Sequence, residues 1–231
     1  MNKSLLSLSL LAAGTLLAGS AVAQYTVQVG GAYVDPNSSA GTATGPLTPV
    51  NAISLTVKPQ STLFFSVARE INDKWDVELA MGFPPTHDVA LKVTNAAALP
   101  ASVAAQDGVI ISKVRQVAPT LFANYKFGDA GSKFRPFVGA GINYTQFDQT
   151  ESTPANNAIN GGPTNIKLSD SWGLAWHAGA VYKFDKQWSV SASYATAQVN
   201  SVITTNTLGI QRNVDISFRP AVFIMAVGYS F

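Results

Sequence analysis

The chain of 231 residues has no cysteine, only two histidines, and charge on just 12% of its positions. Without cysteine there are no disulfides, and no thiolate can serve as nucleophile or metal ligand. So sparse a charge is unlike a soluble exported enzyme, where roughly 25% of residues are charged. A formal net charge of +2 excludes the strongly cationic surface that a nucleic-acid partner requires. Long apolar runs are missing too. After residue 23 nothing approaches the ~20 apolar residues of a spanning helix, so the mature chain does not cross a membrane as helices.

What is present begins with a leader. Lys3 gives a positive start, Leu5 to Leu17 forms an apolar stretch too short to span, and Ala21-Val22-Ala23 fits a small-residue cleavage site. Residues 1–23 therefore read as a signal peptide, with the exported domain at 24–231.

The last dozen residues organise the rest. Phe223, Met225, Val227, Tyr229 and Phe231 lie two apart, with small residues between them such as Ala226, Gly228 and Ser230. That period belongs to a strand with one apolar face. A strand ending on an aromatic carboxylate, in an exported chain, suits the closing strand of an outer-membrane β-barrel. Tyr229 and Phe231 then become the signal read by the barrel-assembly machinery.

Eight such segments can be marked: Tyr25–Asp35, Thr62–Ile71, Trp75–Phe83, Val117–Phe127, Arg135–Phe147, Trp172–Phe184, Trp188–Gln198 and Pro220–Phe231. Their lengths suit the ~9–11 residues of a tilted spanning strand. Short connections alternate with long ones at 36–61, 84–116, 148–171 and 199–219, as the periplasmic turns and extracellular loops of such barrels do. The fold expected is all-β, an eight-stranded antiparallel transmembrane barrel.

Bulk decides which face is outside. Trp172, Leu174, Trp176 and Tyr182 alternate with Gly173, Ala175, His177 and Gly179. A small closed barrel, such as a soluble lipocalin-like one, has no interior room for so many rings. Rings therefore face lipid, and slipping Lys183 to that face would cost up to ~2–4 kcal/mol near the midplane. Trp75, Phe127, Phe134, Phe184, Trp188 and Phe231 sit at segment ends, as an interfacial girdle would. Arg69 is the one charge on the lipid face, at the periplasmic rim, where it can snorkel.

At Phe127-Gly-Asp-Ala-Gly-Ser-Lys-Phe-Arg-Pro-Phe-Val-Gly-Ala-Gly-Ile-Asn-Tyr-Thr145 the chain closely resembles the outer membrane protein W family. Further matches are Val77-Glu78-Leu79, Pro84 to His87, Leu168-Ser-Asp-Ser-Trp172-Gly173, and Gly228-Tyr229-Ser230-Phe231. The resemblance implies an eight-stranded barrel and, for several members, passage of small hydrophobic molecules. Segments 36–61 and 148–165 match no motif of the family, so selectivity is not carried over.

Inward residues can be placed by height. Glu70, Asp76, Glu78, Lys126, Arg135 and Lys183 lie low. Three acids and three bases in a narrow interior are expected to pair as a periplasmic plug, because unpaired buried charge is costly. Above them lie Ala80, Gly82, Phe122, Phe137, Gly139, Gly141, Ala175, His177, Ala195, Ile224 and Ala226. An eight-stranded barrel with such small side chains can hold one small ligand. A solute there needs a way out through the wall. Pro84, Pro85 and Pro119 lack the N–H groups that would zip strands three and four, which marks a lateral exit.

His87 and His177 stand on separate elements with no cluster of further ligands, so no metal or other cofactor is expected. Ser171, Ser191 and Ser193 face inward, but no base and acid are paired with them for acyl transfer. The expectation is a monomeric, non-enzymatic barrel in outer-membrane lipid, taking up small hydrophobic solutes. A non-transporting adhesin or receptor barrel and a lipid-modifying barrel enzyme are the alternatives.

Overall fold

Alternating apolar and small residues make strands because extended backbone sends successive side chains to opposite faces. A computed structural model describes residues 24–231, and the signal peptide expected at 1–23 lies outside the described residues. The strands are β1 (Tyr25–Asp35), β2 (Ser38–Ala40), β3 (Ile53–Val57), β4 (Gln60–Glu70), β5 (Trp75–Gly82), β6 (Thr86–Val93), β7 (Ile110–Val117) and β8 (Thr120–Lys126), followed by β9 (Phe134–Ser152), β10 (Thr164–Leu168), β11 (Ser171–Lys183), β12 (Trp188–Ala197), β13 (Val199–Thr207), β14 (Ile210–Phe218) and β15 (Ala221–Ser230).

Eight of them close an antiparallel barrel in the order β1-β4-β5-β8-β9-β11-β12-β15, with β15 pairing back on β1. Closure leaves no strand edge unpaired in lipid. At the seam, Tyr25 and Phe231 exchange backbone hydrogen bonds of 3.0 and 3.1 Å. Two of the short turns use the same device. Asn72 Oδ1 accepts from the amides of Lys74 and Trp75, and Asp185 Oδ1 from those of Gln187 and Trp188. A side-chain acceptor folded back on the next backbone donors fixes a tight reversal.

The outer face carries the rings. Trp176 is 52% exposed, Tyr182 42% and Met225 73%, while the facing Ala175 and Ala226 are buried. Such a continuous apolar belt around a closed barrel is stable only against acyl chains. All six residues of the expected lower girdle are exposed. Arg69 lies over the ring of Tyr25, 5.9 Å from its centroid.

The long connections are not irregular. The upper half of β9 continues past the barrel and takes on β7, β6 and β3 in that order. A second sheet, β10-β13-β14-β2, faces it. The two sheets meet where Ala43 donates its amide to the Ile53 carbonyl at 2.8 Å and Thr150 Oγ1 donates to the Ile166 carbonyl at 2.6 Å. Inside lies a second core of Leu55, Val89, Leu91, Ile111, Val114, Ile166, Ile203, Val214 and Ile216. The hairpin β13–β14 turns through Leu208 and Gly209, both at positive φ (51° and 87°), the geometry of a type I′ turn that matches strand twist. The molecule therefore has two tiers, a lipid-facing barrel and an outer lobe.

Candidate functional site

The site is a column of cavities along the barrel axis, best followed from its floor. Lys126, the last residue of β8, reaches both Glu70 Oε1 at 2.9 Å and Asp76 Oδ2 at 2.8 Å. Asn124, one inward position higher, donates through Nδ2 to Asp76 Oδ1 (2.8 Å) and Glu78 Oε2 (2.9 Å). Asp76 and Glu78 are buried, so their charge depends on these donors. The expected pairing of three acids with three bases is only partly realised. Arg135 is 2% exposed and donates to the Asp73 carbonyl at 2.6 Å and the Phe127 carbonyl at 3.4 Å. It has no acid partner within 4 Å among the described residues, and neither has Lys183. A planar fork suits backbone carbonyls of adjoining turns, which sequence position alone does not reveal. All six charged residues line one cavity of about 50 Å³.

Above the charges sits a shelf of rings. His177 lies flat on Phe122, with centroids 3.9 Å apart and planes within 9°, and meets Phe137 edge-on at 5.0 Å. Its Nε2 is 2.5 Å from Asn124 Oδ1 and 4.0 Å from Glu78 Oε2. The shelf thus faces polar groups below and apolar ones above.

The space above is a cavity of about 120 Å³. Of the sequence-selected lining, Ala80, Gly82, Phe122, Ala175, Ala195 and Ile224 border it. Phe137 borders the lower cavity instead, and His177, Gly139, Gly141 and Ala226 do not line the upper one. Both glycines are filled space. A Cβ on Gly139 would stand 2.1 Å from Asn124 Oδ1, and one on Gly141 would stand 2.2 Å from the Leu121 carbonyl. Sequence reasoning missed Ala32, Phe64, Thr145 and Val222 in the lining, although the alternation of β1, β4, β9 and β15 already turns them inward.

One side of this cavity borders an interruption of the β5–β8 ladder. The β5–β8 ladder runs from Trp75↔Tyr125 to Ala80↔Thr120 and stops. Pairing resumes only in the lobe, where the Gln116 amide donates to the Pro85 carbonyl at 3.0 Å and Thr86 pairs with Arg115. Between them lie Pro84, Pro85 and Pro119. Met81, Gly82, Pro85 and Ala118 flank the break and border the cavity.

Upwards, the column narrows and widens again. A neck of about 20 Å³ is bordered by Gln116, which also lines the barrel cavity, and by His87, Phe147, Ile216 and Phe218. His87 is 3% exposed; Nδ1 is 2.9 Å from the Lys58 carbonyl and Nε2 has no partner among the described residues. Burial lowers its pKa, only partly opposed by the Lys58 carbonyl and the nearby Asp88. Val89 and Ile203 are shared between this neck and a cavity of about 250 Å³ in the lobe. Two of the serines considered for catalysis are otherwise engaged: Ser191 donates to Gln28 Oε1 at 2.6 Å, and Ser171 Oγ accepts from the Asn200 amide at 3.0 Å.

Comparison with known proteins gives this architecture relatives. The OmpW family model matches residues 23–231. Outer membrane protein W of Escherichia coli K12 is 32% identical over 230 residues, covering 98% of this chain and 99% of that protein. The dibenzothiophene metabolism operon protein PahQ of Pseudomonas aeruginosa is 31% identical over 134 residues, 57% of this chain and 53% of its own. Among solved structures, OprG of Pseudomonas aeruginosa superposes with a TM-score of 0.79 at 27% identity, covering 92% of this chain and 98% of OprG.

Proposed function

The chain belongs to the OmpW family, and we propose that this outer-membrane barrel mediates passive uptake of small hydrophobic molecules. A solute occupies the apolar cavity above the Lys126–Asp76 plug and leaves sideways into the membrane. The observation that carries this reading is the position of the broken β5–β8 ladder. The break adjoins the apolar cavity, whereas the floor beneath is crowded with charge. An apolar solute gains nothing by crossing buried ion pairs, and loses little by passing between Gly82 and Ala118 into acyl chains.

The lining sets the solute class. Alanines, Phe64, Phe122 and Ile224 offer dispersion contact, and the polar groups are uncharged: Thr62, Gln116, Thr120, Asn143, Thr145 and Thr196. A small aromatic or alkane-like molecule fits such a site. The name of PahQ, from an operon of dibenzothiophene metabolism, agrees with an aromatic solute. The barrel acts as a monomer without cofactor or catalysis, and reaches the membrane through assembly machinery that reads Tyr229 and Phe231.

Uptake of a fluorescent naphthylamine into proteoliposomes tests the exit. Pro84→Val gives β5 an N–H on the side facing β8, because Phe83 turns its own amide to Leu63 of β4, and is expected to slow uptake several-fold. Because the chain has no cysteine, Gly82→Cys with Ala118→Cys can be joined by a short bifunctional crosslinker, which is expected to stop uptake reversibly. Uptake unchanged in both variants would sink the lateral route.

A further inference from the structure

The lobe cavity has a feature the barrel cavity lacks. Strand β14 alternates Arg212, Val214, Ile216 and Phe218 along its inward face, where Val214 and Ile216 are core residues. Alternation thus aims Arg212 at the interior of the lobe, and it borders the cavity of about 250 Å³ with Leu55, Leu91, Ile111, Val103 and Ile166. It is the sole charged side chain in that lining. No carboxylate lies within 4 Å of it among the described residues. Its hydrogen bonds go to neutral acceptors, Nε to Thr48 Oγ1 and Nη1 to Asn160 Oδ1, each at 3.2 Å.

Those two acceptors hold the guanidinium in place and leave Nη2 without a hydrogen-bond partner among the described residues. Asn160 is itself fixed, because its Nδ2 donates to Asn156 Oδ1 at 2.8 Å and to the Asn156 carbonyl at 2.9 Å. A partly buried cation with a free donor edge, set in an apolar chamber, lacks only an anion. The volume exceeds the ~150 Å³ apolar void that takes up benzene.

We propose that the lobe cavity is a binding site for single-chain amphiphiles with a carboxylate head: the head pairs with Arg212 and the tail lies against Leu55, Leu91 and Ile111. This site is separate from the barrel cavity and does not depend on the lateral exit. Charge at Arg212 makes it selective for anions, whereas the barrel cavity has no ionic group in its lining.

The test uses the full mature chain in lipid nanodiscs, with empty nanodiscs as reference, and compares octanoate with octanol by titration calorimetry at pH 7.5. Wild type is expected to bind octanoate about tenfold more tightly than octanol, the scale of a charge-assisted hydrogen bond. Arg212→Gln is expected to abolish that ratio while leaving octanol affinity unchanged. Val103→Trp, on the cavity wall, is expected to weaken both ligands with the barrel still folded by gel mobility. The proposal is overturned if Arg212→Gln keeps the ratio, if Val103→Trp leaves both affinities intact, or if wild type binds neither ligand saturably. Uptake of the neutral naphthylamine by Arg212→Gln should match wild type, so a failed lobe site and a failed transport route give different results.

Discussion

The ring of His177 is stacked on that of Phe122 at 3.9 Å, and Gly139 is the reason it can be there. A Cβ at position 139 would stand 2.5 Å from His177 Nε2 and Cδ2 and 2.1 Å from Asn124 Oδ1. Gly139→Ala must push the imidazole up into the apolar cavity or break its bond to Asn124. Overpacking of this kind costs about 1–3 kcal/mol. We expect a lower urea midpoint for Gly139→Ala together with slower naphthylamine uptake. Wild-type values for both would show that the shelf does not bound the solute space.

The charged floor of the barrel rests on one ammonium. Lys126 bridges Glu70 and Asp76, and the Asp76 side chain is only 4% exposed. Removing one partner of a buried pair strands the other charge and costs about 3–5 kcal/mol. Lys126→Met should therefore destabilise the barrel on that scale in urea. The double variant Lys126→Met with Asp76→Asn should recover most of the loss. Equal stability of the single and double variants would mean that Asp76 does not depend on Lys126.

How much of this could be read beforehand differs between the tiers. In the barrel, lipid forces bulky residues out and small ones in, so Trp176 and Ala175 declare their faces by size alone. Residues 199–218 alternate just as well, with Val199, Ile203, Val214 and Ile216 inward. Their other face is polar, so they resemble any water-washed hairpin and their partner sheet is not written locally. Pairing of β7 with the top of β9 joins residues from Val117↔Gln146 to Ser112↔Ser152, far apart in the chain, which period-two counting does not capture. The inward charges were legible as a set but not as a pairing scheme. Whether Arg135 meets an acid or a carbonyl depends on turn geometry at Asp73 and Phe127.

Two cores imply two cooperative units. Ile216 is 1% exposed at the centre of the lobe, and truncating such a residue costs about 2–5 kcal/mol. Ile216→Ala should loosen the lobe while the barrel, whose interior is a separate cluster of Ala32, Phe64, Phe122, Ile224 and others, keeps its gel mobility. Limited proteolysis should then cut within 199–218 at a protease concentration that leaves wild type whole. Loss of the barrel's mobility in the same variant would show that the tiers fold as one.

The lobe should also weaken in acid, and His87 is the reason. Its imidazole is buried with Nε2 unpartnered, and burial holds its pKa below the ordinary 6.5. Between those two values the unfolded lobe takes up a proton that the folded lobe refuses, so stability falls as pH drops below about 6.5. Asp88 opposes the shift and Lys58 offers only its carbonyl. The exposed Asp148, held low by Arg115, stays ionised through this window. Proteolysis of the lobe should therefore be faster at pH 5.5 than at pH 7.5 when compared with an unstructured substrate under the same conditions. His87→Gln, which cannot take up the proton, should flatten the difference. If that variant keeps the full acid sensitivity, the proton goes elsewhere and the neck is not where the lobe senses it.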